Sequence, residues 1–353
     1  MTKYLALLAV LFYCPLAAAQ TALETLKEAA PAAELNIPEP RFGGGSSQPA
    51  DISGPAGFPA QAAAAYRSLP NYITLHAIPS PGPMNWTSVS SLALSFARNQ
   101  LAVNYFGQTH SIGHVSFEIG CTLPDGSRSF TMTGQSPVSM KGFNEQVKAG
   151  SGYGAFFGYV EGRLQTPEEL DKVLTKLSGQ KGEVAFLTMR VSPDSCLEAA
   201  RYMAAYRAEG VYTRYGLGVR PLYAEGGGCA NVGASVVEVA GPAVFPQLSK
   251  KWSRTVYLPK KLMGGPDNHV GAGDIAPYLL TDWTKKPSYP SKTLFFYDPD
   301  LIYNWILAAH KAGASEGRPA ERYAINKAKG VLLDYSGDTA PTAWWKTDDG
   351  AGE

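Results

Sequence analysis

The stretch "YAEGGGCANVGASVVEVAG", residues 223–241, constrains this chain most. Three glycines lead directly into Cys229. From Ala230 onward Val232, Val236 and Val239 recur at helical spacing, and Gly241-Pro242 ends the run. The valines would also suit a strand, but alanine content, length and the Gly-Pro terminus favour a helix that opens on the cysteine. A cysteine that only fills core space needs neither a flexible approach nor a helix start. A nucleophile uses both, because the positive end of a helix dipole stabilises thiolate. Glycines at 226–228 would leave the approach to sulfur uncrowded and offer N–H groups to an oxyanion. The competing reading makes the glycines a plain loop and Cys229 buried or disulfide-bonded.

Compartment sets the state of the other cysteines. Lys3 precedes an apolar run over residues 5–16, and Ala17-Ala18-Ala19 supplies a small-residue cleavage site before Gln20. Residues 1–19 read as a secretory signal peptide, and the run is too short to span a bilayer. The protein is expected to be exported, in the periplasm or outside the cell. Cys14 leaves with the leader, so Cys121, Cys196 and Cys229 remain. An odd count in an oxidising compartment leaves one thiol free or bonded to another chain. The economical arrangement pairs Cys121 with Cys196 and frees Cys229, although Cys196 also fits a small core position on its own helix.

Residues 20–65 are rich in alanine, proline and glycine and read as a linker, because alanine side chains bury too little surface to repay ordering. Residues 66–242 have the composition of a packed domain, residues 243–330 read as a C-terminal extension packed on it, and residues 331–353 read as a loose tail. The net charge of +1, with no basic block, excludes nucleic acid as a partner.

"GHVSFEIGC" alternates as a half-buried strand, and "PDGSR" turns it into "SFTMTG", a hairpin over residues 114–134. Thr166-Pro167-Glu168-Glu169 is a capping box with proline at the first helical position. "EVAFLTMRV" reads as a central strand. Ser192-Pro193 starts another helix, and Asp298 or Asp300 caps one over residues 301–310. "SGYGAFFGYVEG" lacks the strand and full glycine pattern of a dinucleotide loop, and reads as a mobile loop near the cleft. Tyr202, Tyr206, Tyr212, Tyr215 and Tyr223 suit core packing, or a groove for a sugar or acyl chain.

A cysteine nucleophile needs an imidazole, and five histidines are present. His114 opens a strand behind Gly113, which fixes its backbone and permits close approach. His110 stands four residues earlier, a spacing that suits two metal ligands on one helix, but the residues from His114 onward alternate as a strand. No HExxH or paired CxxC is present, and neither a metal nor an organic cofactor is expected.

"GHVSFEIGC", its hairpin and "GGGCANVGASVVEVAG" together resemble the NlpC/P60 papain-like superfamily in its circularly permuted form, the branch that includes lecithin:retinol acyltransferase-like proteins. The likeness covers residues 105–242. In permuted members the histidine strand precedes the cysteine helix, as here, and "VSPDSCLEAARYMAAYRAEG" is similar to the helix they place before the cysteine. The resemblance implies an α+β fold with an antiparallel sheet packed on the cysteine-bearing helix. It implies Cys229 as nucleophile and His114 as general base, with a polar residue on the following strand orienting the imidazole. Gln135, at the end of the return strand, is the nearest match for that third role, with Thr133 and Glu118 as alternatives. Two features depart from the pattern: Gly228 stands where many permuted members have asparagine, and the hairpin is longer. The implied function is hydrolysis of an amide bond in a peptidoglycan peptide, in contact with the cell wall or a membrane surface. The alternatives are lipid acyl hydrolysis or transfer, and a non-catalytic exported binding protein on the same scaffold.

Overall fold

The computed structural model describes residues 58–346 other than 107–109, 140, 181, 266 and 267. The expected signal peptide and linker residues 20–57 lie outside the described residues. Among the described residues thirteen strands follow one another. They are β1 (Tyr72–Ile78), β2 (His114–Thr122), β3 (Arg128–Thr133), β4 (Gln135–Pro137), β5 (Val160–Leu164), β6 (Ala185–Arg190) and β7 (Arg214–Tyr215). After these come β8 (Ser253–Pro259), β9 (Ser291–Tyr297), β10 (Ala314–Ser315), β11 (Arg318–Pro319), β12 (Glu321–Ile325) and β13 (Ala328–Asp334).

The main sheet has six strands in the order β12-β13-β6-β1-β2-β3. Every neighbouring pair is antiparallel except β13 with β6. The fold is therefore mixed α and β around a mixed sheet, where the sequence suggested an antiparallel one. A parallel pair needs a long crossover, and the helix Pro299–Ala312 lies within it, packed against β13, β1 and β6.

Strand side chains alternate between two cores. Val115, Phe117, Ile119 and Cys121 of β2 join Leu75, Leu187 and Val331 under the helices Pro193–Ala208 and Cys229–Ala240. On the other face Tyr72 and Phe186 meet Phe58, Tyr66 and Leu170, Leu174 and Leu177 of the helix Pro167–Ser178. Strand β2 is thus buried on both sides rather than half-buried. Its polar row survives burial because each group has a partner. Arg67 grips Glu118 through Nε at 3.0 and 3.1 Å and through its terminal nitrogen. Ser116 Oγ meets His76 Nδ1 at 3.0 Å.

The cover on this second face corrects the linker boundary. Phe58–Ala62 is helical and continues as a wider turn to Arg67, with Phe58, Ala62 and Tyr66 buried. The C-terminal boundaries change as well. Strands β12 and β13 belong to the main sheet, so residues 243–330 are not a separable extension. The expected loose tail contains buried Val331, Leu333 and Tyr335, and Trp344 and Trp345 pack against Tyr202. Residues 347–353 lie outside the described set.

A third core joins Trp86, Phe157, Leu217, Trp283 and Phe296 around the antiparallel pair β8–β9. It absorbs the segment expected to be a mobile loop: Gly154–Phe157 forms a short helix with Ala155 and Phe157 buried, and β5 follows. Local signals held well. Thr166 and Glu169 form the capping box, and the Ser192 and Asp298 side chains cap their helices. Gly241 closes the Cys229 helix in the left-handed conformation. Cys121 and Cys196 form a disulfide, and Cys229 is free. Among the described residues no helix is long and apolar enough to cross a membrane.

Candidate active site

Cys229 opens the helix Cys229–Ala240, and its glycine approach is compressed rather than open. A Cβ on Gly226 would stand 2.3 Å from the Arg214 carbonyl oxygen, one on Gly227 2.5 Å from Val232 Cγ2, and one on Gly228 2.9 Å from the Gly216 oxygen. Gly226 also has a φ of +115°, which side chains disfavour. The glycines therefore let two chain segments press together. Gly227 N–H donates to Arg214 O at 3.0 Å, which removes it as an oxyanion donor. The reward of this contact is the position of Tyr215, whose hydroxyl lies 3.9 Å from Cys229 Sγ.

His114 reaches the same sulfur from the first residue of β2. Gly113, with φ +73°, passes so close to Ile78 O and Pro299 Cβ that an added Cβ would lie 2.9 Å from each. His114 donates from Nε2 to Gln165 Oε1 at 2.6 Å, which leaves Nδ1 to face Cys229. Burial raises the Cys229 thiol pKa, but the His114 charge and hydrogen bond, the Val115 N–H and the Tyr215 hydroxyl together bring it below the ordinary thiol value. The field of the helix N-terminus acts in the same direction. Burial, followed by the charge on Cys229, pushes the Tyr215 phenol well upward, so it remains a protonated donor. Cys229 and His114 are only 3% and 2% exposed; the low dielectric around them strengthens each of these interactions.

The structure brings Cys229 and His114 together and leaves Gln135 elsewhere. Successive strand residues point to opposite faces, so Gln135 points away from the face on which His114 meets Gln165. Its Nε2 donates to Tyr212 O and Arg214 O, both at 2.9 Å, and its Oε1 accepts from the Tyr206 hydroxyl. It fixes the turn that carries Tyr215. Gln165, which sequence reasoning missed, is the residue that holds the imidazole. It follows β5 and precedes the cap residue Thr166, and its N–H donates to Gly134 O at 2.8 Å. Thr133 Oγ1 donates to Gln165 O at 2.9 Å, so this alternative supports the orienting residue through its backbone. Glu118 belongs to the Arg67 pair.

The remaining histidines have other surroundings. His110 stacks on His114 with ring centroids 4.6 Å apart and planes 3° from parallel. Burial and the His114 charge push its pKa well down, so it stays neutral. His76 sits in the second core, His269 packs over Gly150, and His310 Nδ1 donates to Gly330 O at 3.0 Å. Among the described residues no three His, Cys, Asp or Glu side chains converge to hold a metal ion. Of the tyrosines before the cysteine, Tyr202 and Tyr206 are fully buried core residues, and Tyr223 lies under the Arg220 guanidinium. Beside Cys229 is a cavity of about 10 Å³ whose side-chain walls include Trp86, Ile112, Leu217 and Phe296.

Comparison with family models, curated proteins and solved structures finds no match to this chain.

Proposed function

We propose that this chain is an exported cysteine hydrolase built on a circularly permuted papain-like core, and that it cleaves an amide bond. The observation that carries the reading is the imidazole of His114, set between Cys229 on one side and Gln165 Oε1 at 2.6 Å on the other. Nucleophile, base and orienting amide in that order are what acyl transfer through a thiolate requires. Histidine before cysteine in the chain agrees with the permuted order.

Cys229 thiolate attacks the substrate carbonyl, forming the C–S bond while the carbonyl electron pair moves to oxygen. The N–H groups that open the helix have no intrahelical acceptor, and with the Tyr215 hydroxyl they stabilise this oxyanion. As it collapses, His114 gives its proton to the departing amine and the C–N bond breaks. Water, deprotonated by His114, then attacks the thioester, the C–S bond breaks, and the acid leaves with the Cys229 thiolate restored beside the protonated His114. Gln165 keeps the imidazole in the tautomer and orientation both steps need.

An exported enzyme of this kind meets cell-wall peptides, and a peptidoglycan peptide is the substrate we propose. Long-chain lipid acyl transfer fits less well, because the cavity beside the sulfur is only about 10 Å³. The test is release of new amino termini from purified cell-wall fragments. Cys229→Ala is expected to fold and lose at least about 10³-fold in turnover. A folded Cys229→Ala protein that cleaves as fast as the native one would contradict the assignment.

A further inference from the structure

We infer that the cavity beside Cys229 selects a short, uncharged alkyl substituent on the acyl side of the scissile bond, of the size of an alanine methyl. This rests on Cys229 being the nucleophile and narrows what it attacks. Four apolar side chains from four separate segments line the cavity: Trp86, Ile112 ahead of β2, Leu217 after β7, and Phe296 in β9. Trp86 and Phe296 stand edge to face at 4.8 Å, with Phe157 behind both at 6.2 Å, so this wall is part of the third core. The available volume of about 10 Å³ matches the space one water molecule needs, hence one methyl group.

Charge is excluded by saturation as much as by size. Of the polar side chains at the cavity besides Cys229, Asn231 donates to Leu217 O and Val219 O at 3.0 and 2.9 Å and accepts from the Tyr297 N–H at 2.9 Å, and the Tyr297 hydroxyl meets Ser249 Oγ at 2.9 Å. The carboxylates on either side of lining residue Pro299 are also engaged. Asp298 pairs with Arg254 and accepts from the Asp300 N–H, and Asp300 accepts from Ser80 and the Met84 N–H. A carboxylate entering here would lie against the Cys229 thiolate while the free N–H groups at the helix start hold the substrate oxyanion, so it would lose its hydration and find no free counterpart.

Four p-nitrophenyl esters test the inference: acetate, butyrate, octanoate and hemisuccinate. In each, the thiolate forms a C–S bond, the C–O bond breaks, and p-nitrophenolate leaves with the electron pair. The burst of p-nitrophenolate and the mass gain on the Cys229 peptide report acylation. Rates are divided by those of free N-acetylcysteine to remove intrinsic ester reactivity. Acetate is expected to be fastest, with about 10-fold lost for each methylene the cavity cannot hold and at least about 100-fold for hemisuccinate relative to butyrate. Ile112→Ala and Leu217→Ala each enlarge the cavity and are expected to raise butyrate about 10-fold relative to acetate. Ile112 is only partly buried, so its variant keeps the test open if Leu217→Ala does not fold. Equal normalised rates for all four esters, or ratios unchanged in the folded variants, would overturn the size-and-charge selection while leaving the nucleophile intact. No acylation of Cys229 by any ester would overturn the nucleophile reading and this inference with it.

Discussion

Gly134 decides which glutamine reaches His114. A Cβ there would lie 2.5 Å from Gln165 Oε1 and 3.1 Å from His114 Nε2, so only glycine admits the pair. Cys229 and His114 were legible in the sequence because each stands at the first residue of a strongly patterned element. Gln165 was not, because its approach depends on the pairing of β4 with β5, where Gln135 lies opposite Leu164. Two glutamines of identical chemistry flank that pairing, and periodicity alone does not say which faces the imidazole. The roles separate on substitution. Gln165→Ala is expected to lower kcat/KM about 10²-fold through misplacement of the imidazole. Gln135→Ala leaves the His114–Gln165 bond intact, and its main expected loss is in thermal stability, since it unpins the turn at Tyr212 and Arg214. Parallel kinetics and thermal melts of both variants check this, and a larger kinetic loss for Gln135→Ala would reverse the assignment.

At the scale of elements, caps and breakers were legible because they act within one turn of chain. Thr166 with Glu169, Ser192, Asp298 and Gly241 all mark helix ends as their types suggest. The burial of β2 was not legible. Its polar row looks solvent-facing in isolation, and only the packing of residues 58–67 across it, with Arg67 on Glu118, makes that face a core. The disulfide joins β2, which carries His114, to the helix Pro193–Ala208, closing a loop between residues 75 apart in sequence. Loop-closure entropy for that separation suggests that reduction costs about 4 kcal/mol. Urea denaturation with and without reductant measures it. The Tyr202 and Tyr206 side chains on that helix pack in the same core, so a substantial loss is expected, and an unchanged midpoint would show that the cross-link contributes nothing to folding.

Over the whole molecule, the sheet is completed by the last part of the described chain. "GVLLDY" is a short apolar run whose strand identity comes from pairing with β6, far back in the sequence, and composition placed its boundary wrongly. The third core likewise gathers Trp86, Phe157 and Phe296 from distant segments, and it supplies walls of the cavity beside Cys229. The residues after 242 therefore belong to fold and site together. A chain ending at Asn326 lacks β13, which lies between β12 and β6, and is expected to lose cooperative unfolding and near-ultraviolet dichroism. Retention of both would place β13 outside the cooperative unit.

The central claim is that Cys229 is a thiolate held by His114, and the pH dependence of Cys229 alkylation in the unreduced protein tests it most directly. Peptide mass spectrometry reads the rate. In the native chain the midpoint is expected below the free-thiol value of about 8.5, because His114, the Val115 N–H and the Tyr215 hydroxyl together outweigh burial. In His114→Ala, burial remains and the largest influence opposing it is gone, so the midpoint is expected to rise. A native midpoint at or above 8.5, or one that His114→Ala leaves in place, would contradict the Cys229–His114 pair.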